Sequence, residues 1–538
     1  MSTHVIVRHS AQLRTALLGC ACAAALAVAA APVAHAENLV TGLSPFAGCD
    51  VTAQPGINYP NAEVEPWLDA DPTNSSHLIA GWQQDRFSNG GSKSLMSGYS
   101  TDGGLIWTPV VVHGITACAG GTGDFAFDRA SDPWVTIARD GTAYFQSLSF
   151  NNDESCGAGG DNALLVSKST DGGITWSNPQ VQIYDTDGQL FNDKNSMRAD
   201  PTDSESKRVY AVWDRLLDFT LPSSCTSSTT AGAARGSHDG VAEARERFRK
   251  AAGSVGGPIN PATIFTGPTL FTRTTDGGAT WEPARVIFDP GSNAQTINNL
   301  IEVLPNGTVI DFFTNLSTLG QGGVKLGMVK STDHGATFGP VSNAFKMVVT
   351  NSGTVTPDAH SPVRDANILF DVATDRENGN LYVVWQDGRS RNIDRVAFSM
   401  STNGGATWSS PQIIDKTPYS PVKLRNQAFL PAVEVGANHR VVVTYYNFEN
   451  DTSDGRELTD FWSISCDIAN GENCRTAGGW SGENRLTTSS FDMLDAPVAR
   501  GHFLGDYHGL VNAGGTVKSV FGKSVGPNLN DMFATTVP

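Results

Sequence analysis

Five near-copies of one short pattern constrain this chain more than any other feature. They run Ser100–Trp107, Ser169–Trp176, Thr274–Trp281, Ser331–Phe338 and Ser401–Trp408, and share Ser/Thr-x-Asp/Asn-x-Gly-x-x-Trp/Phe. Each shared position has a physical task. The hydroxyl and the carboxylate or amide bond the backbone of their own turn. The glycine permits the positive φ of a tight hairpin. The aromatic tucks beneath the turn as an apolar pin. Five copies, each following a strand-like run, predict a repeated β-hairpin.

A second repeat precedes each copy. It is a strand, a turn with Asp or Gly, then a strand rich in Val, Tyr and Trp. Its instances are Glu65–Trp82, Asp132–Leu148, Met197–Trp213, Ile297–Phe313, Ile368–Trp385, Phe429–Tyr446 and Tyr507–Phe521. Turns such as Arg139-Asp140-Gly141 and Asn378-Gly379-Asn380 are hairpin chemistry. Each instance supplies the two inner strands, A and B, of a four-stranded blade, and the first motif joins the outer strands C and D. The spacing is regular except for one longer interval. That interval predicts an insertion at about 216–261, rich in Ser, Thr, Ala and Gly, read as a surface excursion or as a lid. Counting inner pairs gives seven blades. The last is short, and a strand from the 37–59 segment would complete it and hide both sheet edges.

The first motif is identified as the Asp-box, and the chain after its leader resembles the sialidase-like β-propellers. The resemblance implies an all-β propeller over 37–538, six blades in that family against the seven counted here. It also implies an exo-α-sialidase-type glycoside hydrolase, with the Asp-boxes on the face away from the active site. Two other functions stay open: a non-catalytic propeller that binds glycan or protein, and a hydrolase of a different sugar linkage that uses two carboxylates. The Phe/Tyr-Arg-Ile-Pro motif of sialidases is missing, and Asn61–Trp67 occupies its approximate place.

Residues 1–36 read as an export signal. Arg8 and Arg14 precede the apolar run Leu17–Ala31, and Ala34-His35-Ala36 is a cleavage sequence. The run is too rich in small residues for a good membrane span, and no second run of membrane length follows. Losing two arginines takes the formal charge from −17 to −19. An acidic exported protein is a poor partner for nucleic acid or anionic membranes, and the resemblance implies carbohydrate as the partner. Six cysteines remain after the leader, an even number suited to disulfides; Cys466 and Cys474 are close enough in sequence to close a loop. No Cys/His pair has zinc spacing, and Asp185-x-Asp187 and Asn450–Asp454 lack a full calcium loop, so no metal or cofactor is expected.

The candidate site follows from strand parity. A–B and C–D turns share one face of a blade, so B-strand ends lie on the other. Those ends read Trp82-Gln-Gln-Asp85-Arg86, Trp213-Asp214-Arg215 and Trp385-Gln-Asp387-Gly-Arg389. The connections entering blades add Glu63, Glu65, Asp193, Lys194, Arg364, Asp365, Asp506 and Tyr507. The expectation is one channel mouth where Arg86, Arg215 and Arg389 bind substrate, and Asp85, Asp214, Asp387 and Tyr507 are catalytic. Arginines fork onto a sugar carboxylate, and a carboxyl with a raised pKa protonates the leaving oxygen. In the family the nucleophile is a tyrosine, a role that falls to Tyr507 or Tyr446. The competing expectation is that each Asp/Arg pair is a salt bridge between blades, with Trp82, Trp213 and Trp385 as core.

Overall fold

The computed structural model describes residues 36–50, 54–152, 160–218, 265–317, 323–350, 353–418 and 424–538. The expected export signal up to residue 35, the expected insertion from 219 onward, Cys156 and Cys225 lie outside them.

The fold is all-β. Among the described residues the strands fall into seven four-stranded antiparallel units, with short 3-10 turns and no α-helix. Unit 1 is Val64–Ala70, Leu78–Arg86, Ser92–Ser100 and Thr108–Val111. Unit 2 is Arg129–Ile137, Ala143–Phe150, Asn162–Ser169 and Gln180–Asp185; one bridge, Ser92 to Ala130, joins these two into a continuous sheet. Unit 3 is Leu190–Ala199, Val209–Asp218, Thr269–Thr274 and Arg285–Phe288. Unit 4 is Ala294–Val303, Val309–Ser317, Gly323–Ser331 and Ser342–Lys346. Unit 5 is Phe370–Thr374, Leu381–Asp387, Arg395–Ser401 and Gln412–Ile413. Unit 6 is Ala428–Val435, Arg440–Asn447, Leu458–Asp467 and Ser481–Arg485. Unit 7 is Gly509–Ala513, Thr516–Gly526 and Leu529–Val537, completed by Asn38–Leu39 from the start of the chain. The first strand of each unit touches that of the next, and the first strand of unit 7 touches those of units 6 and 1. The seven first strands therefore close a ring around a central channel, which is a β-propeller.

The repeated turns hold themselves by one scheme. In the first, Ser100 Oγ donates to Asp102 and accepts from Gly104 N at 2.9 Å, while Asp102 Oδ1 accepts from Leu105 N and Ile106 N at 3.0 Å. The hydroxyl's two bonds recur at Ser169/Asp171, Thr274/Asp276, Ser331/Asp333 and Ser401/Asn403, where the carboxylate or amide oxygen also accepts from the N–H four residues on. The glycine is needed at this point. Gly335 has φ +79°, and a Cβ there would sit 2.7 Å from the Phe271 ring. These C–D turns share a face with the A–B turns: Gly103 N donates to Ser76 O, and Gly277 N to Lys207 O. Unit 6 lacks the motif and uses other chemistry at the same place. A Cys466–Cys474 disulfide closes its loop, and Trp480 packs edge-on against Phe398 with its indole N–H on Cys474 O. A second disulfide joins Cys49 to Cys118. Both suit an oxidising compartment.

At the turn-side mouth of the channel, polar side chains tie neighbouring units together. The penultimate residues of six first strands are Asp69, Thr136, Arg198, Glu302, Glu434 and Asn512, and several of them reach to a neighbouring unit. Asp69 accepts from Ile137 N at 2.9 Å and Thr136 from Ala199 N at 3.0 Å. Arg198 donates to Glu302 at 2.6 Å, and Asn512 to Val435 O at 2.6 Å.

Candidate functional site

At the opposite mouth the first strands do something sequence rules advise against. Five of them are bulged, and the bulged residue has a left-handed backbone although it is not glycine: Glu65 (φ 55°), Asp132 (54°), Lys194 (49°), Asn298 (63°) and Leu430 (49°). A bulge breaks strand parity and re-aims a side chain, here at one ring position in units 1, 2, 3, 4 and 6. Pro66, Pro133 and Pro431 follow three of these residues, at a point where the broken ladder demands no N–H. Strain of this kind is carried by a structure that over-determines it, and it concentrates at functional sites.

The bulges assemble an ionic and aromatic cluster on the side of units 7, 1, 2 and 3. Trp67 stacks on Trp134 with centroids 3.5 Å apart, and Tyr507 lies 6.1 and 5.8 Å from the two rings. The Lys194 ammonium sits 3.8 Å above the Tyr507 ring. Arg364, from the connection between units 4 and 5, forks onto Asp506, from the connection between units 6 and 7. Arg364 and Arg86 both lie over the buried Phe503 ring, at 4.4 and 4.9 Å. Gln83 bonds Glu65 and Arg86. Asp132 is fixed by Ser131 Oγ at 2.7 Å and Lys194 N at 2.8 Å. Glu65, Arg86, Asp132, Lys194 and Asp214 are buried, whereas Trp67, Asp193, Arg364, Asp506 and Tyr507 are half-buried, and of these Trp67, Asp506 and Tyr507 line the cleft.

Crowding splits the protonation of the acids. Asp193 and Asp214 are direct cross-strand partners, an arrangement that two negative charges disfavour. Burial, then Asp193 and Asp132, push Asp214 well above the usual carboxylate range. Burial, then Asp506 and Asp132, do the same to Glu65. Asp193 is pushed up to about 7, by burial and by Asp132 and Asp506. Asp506 goes the other way: burial would raise it, but the Arg364 guanidinium overrides that and holds it below the ordinary range. An acid poised near neutrality thus lies within electrostatic reach of one fixed as an anion. Environments that push two carboxyls apart in this way are how acid and base roles are assigned.

The raised acids set the pH dependence of stability. Asp371, which lines the same cavity as Tyr507, and Glu434, near the turn-side mouth, are also pushed up to about 7, chiefly by burial. A carboxyl whose folded pKa is raised holds its proton in the fold after the unfolded chain has lost it. Between roughly pH 4 and 7 the native state then binds more protons, so stability falls as pH rises. The melting temperature is expected to be higher at pH 5 than at pH 8. A thermal melt series in matched ionic strength checks this; a maximum at pH 8 would refute it.

The structure brings together only part of the expected site. Arg86, Asp214 and Tyr507 join the cluster. Arg215 does not: it pairs with Asp185 in the outer strand of unit 2. Arg389 turns back on Asp387, which also accepts the Trp385 indole N–H at 2.6 Å. Asp85 accepts from Ser44 Oγ and Asn61 N. The repeated Trp-x-polar pattern is a device for burying tryptophan: Trp82 bonds Gln84, and Trp213 bonds Asn192, itself held by Asp185. Trp82, Trp213 and Trp385 are fully buried. Tyr446 is buried too, with its hydroxyl on Gly522 O. Residue similarity at the three B-strand ends therefore reflects a shared packing problem. Asp132, Trp67 and Trp134 carry the site without having been singled out in the sequence; Glu-Pro-Trp at 65–67 and Asp-Pro-Trp at 132–134, proline inside a strand, are the signal for them. Among the described residues no group of three or more His, Cys, Asp or Glu is arranged to hold a metal ion.

No protein-family model matches this chain, and no curated protein does. Solved structures match it distantly. The Hadza microbial sialidase Hz136 is 15% identical, over 87% of this chain and 74% of that one, with a TM-score of 0.43. A Penicillium chrysogenum alpha-L-arabinanase complexed with arabinobiose is 14% identical over 77% and 94%, TM-score 0.42. A protein of unknown function from Dyadobacter fermentans is 13% identical over 78% and 94%, TM-score 0.41.

Proposed function

We propose that this chain is an exported glycoside hydrolase that uses paired carboxyls rather than a tyrosine nucleophile. The observation that carries the reading is the split cluster at the channel mouth: Asp193 poised near 7 beside Asp506, which Arg364 keeps ionised. Asp193 donates its proton to the leaving oxygen as the glycosidic bond breaks. Asp506 faces the positive charge that develops on the sugar ring and, with the proton-sharing acids behind it, activates the water that completes hydrolysis. Trp67 and Tyr507 give the sugar an apolar wall. The Tyr507 hydroxyl is a poor nucleophile here. Burial and the surrounding acids Glu65 and Asp132 push it well above its ordinary value, the reverse of activation.

A sialidase of the tyrosine type is less well supported. It needs arginines free to grip a sugar carboxylate. Of the three proposed from sequence, Arg215 and Arg389 are in ion pairs, and Arg364, which joins Arg86, is committed to Asp506. A non-catalytic glycan-binding propeller is the second reading, favoured by the burial of Glu65, Arg86 and Asp132. A panel of aryl glycosides, scored for both phenol and reducing sugar, separates them. Turnover on at least one neutral glycoside supports hydrolysis. Saturable sugar binding with no turnover on any member means the binding module.

A further inference from the structure

Of the five strained bulge residues, Lys194, Asn298 and Leu430 line the cavity at this mouth, and Glu65 and Asp132 do not. The two outside it are hydrogen-bonded to the protein: Glu65 accepts from Gln83, and Asp132 accepts from Ser131 Oγ and Lys194 N. The two polar residues that line it keep valences unspent. Lys194 is 6% exposed, and its Nζ has three N–H groups to place. Among the described residues that Nζ meets the faces of Tyr507 and Trp134, at 3.8 and 5.3 Å, and no hydrogen-bond acceptor. Asn298 is 2% exposed. Its Nδ2 donates to Phe370 O at 2.7 Å, which fixes the amide's orientation, and no donor among the described residues reaches its Oδ1. Polar groups taken out of water without partners cost free energy. Both side chains are also held in place against backbone strain, at φ 49° and 63°. They come from neighbouring units whose first strands are tied together, Ser196 Oγ donating to Asn299 O at 2.7 Å. Strain of this kind persists at ligand clamps.

The unspent valences are complementary, a donor on Lys194 and an acceptor on Asn298. Two hydroxyls of a sugar ring satisfy both, one accepting and the other donating. Charge decides against an acidic sugar. Asp132 and Asp193 accept from Lys194 N at 2.8 and 3.0 Å, and the ammonium also eases the charge on Asp214. Among the described residues that line the cavity Lys194 is the one cation, against Asp365, Asp371 and Asp506, and burial keeps His508 neutral. A substrate carboxylate would join a site already crowded with acids, whereas a neutral oxygen adds no charge. We infer that Lys194 and Asn298 are specificity residues that bind two hydroxyls of a neutral sugar, Lys194 Nζ as donor and Asn298 Oδ1 as acceptor, and that sugars carrying a carboxylate are rejected. The inference rests on the proposed function in taking the cleft as a carbohydrate site, and does not require bond cleavage.

The test reads binding by calorimetric titration. The probes are methyl glycosides of glucose, galactose, mannose, xylose and arabinose, and of glucuronic, galacturonic and mannuronic acid. At least one neutral glycoside should bind, and more tightly than the uronide of the same ring. The monodeoxy analogues of the tightest binder are then titrated into wild type, Lys194→Met and Lys194→Asn; asparagine tolerates the left-handed backbone, so the second variant keeps the test open if the first does not fold. Both variants should bind the parent sugar on the order of 10- to 100-fold more weakly, the loss of one charge-assisted hydrogen bond. They should bind one deoxy analogue, the one without the hydroxyl that Lys194 meets, as well as wild type does. Uronides that bind as tightly as their neutral partners overturn the inference, as do variants with undiminished affinity or binding of no probe by the wild type. A loss of equal size for the parent and every analogue also overturns it, and makes Lys194 a counterion that holds the acids together. The expected pattern without turnover on the aryl panel leaves the inference standing and removes the hydrolase reading; turnover without the pattern does the reverse.

Discussion

Asp193→Asn is expected to lower kcat/KM by about 100- to 10,000-fold, the range for loss of a positioned general acid, and to leave the fold intact. The amide keeps the acceptor that meets Lys194 N at 3.0 Å, so the bulge retains its brace. It also removes the charge that Asp193 sets against Asp214, its cross-strand partner. Stability at pH 8 should therefore hold or rise while activity collapses. Activity assays and thermal melts on one preparation check the pair of outcomes. Loss of activity and of melting temperature together would mean that Asp193 is a structural residue. Retained activity would move the proton donor elsewhere.

The second large effect lies at the other end of the channel. Arg198→Met is expected to destabilise the protein by roughly 3–5 kcal/mol, the cost of stripping one partner from a buried ion pair. Glu302, which Arg198 holds at 2.6 Å, is buried, and the same guanidinium lowers the energy of charge on Asp69 and Glu434. The double variant Arg198→Met/Glu302→Gln should recover much of the loss, because the uncompensated charge is gone. Denaturation midpoints on the wild type, the single and the double variant measure this. If the double variant is no more stable than the single, the loss comes from packing of the Arg198 stem and not from its charge.

These two ends of the channel were legible in the sequence to different degrees. The propeller was written plainly, because its turns are local: a serine, an aspartate and a glycine within five residues fix a hairpin without help from elsewhere. Cys466 and Cys474 were legible for the same reason. The position of Tyr507 beside a strand start followed from parity along the chain. What parity could not supply was the bulge. It assumes an unbroken alternation, and at Glu65, Asp132 and Lys194 the chain breaks it, turning into the channel residues that alternation would place elsewhere. The B-strand ends misled for a related reason. Asp387 and Arg389 resemble a substrate clamp in sequence, yet the cost of burying the Trp385 indole N–H claims the carboxylate, and the carboxylate then claims the arginine. Arg215 is claimed by Asp185, thirty residues earlier in the neighbouring unit, a partner that no local pattern names. The ring of penultimate first-strand residues from Asp69 to Asn512 is visible only once the strands are aligned in space.

The central claim is that one acid, poised near neutrality by its neighbours, drives bond cleavage at this mouth. The dependence of kcat/KM on pH tests it most directly, using whichever aryl glycoside the protein turns over. Asp193 must be protonated to act, and its folded pKa is pushed up to about 7. The expected profile is level through mildly acid pH and then falls with a midpoint near 7, approaching tenfold per unit on the alkaline side. A profile that stays flat or rises between pH 6 and 9 would contradict the account.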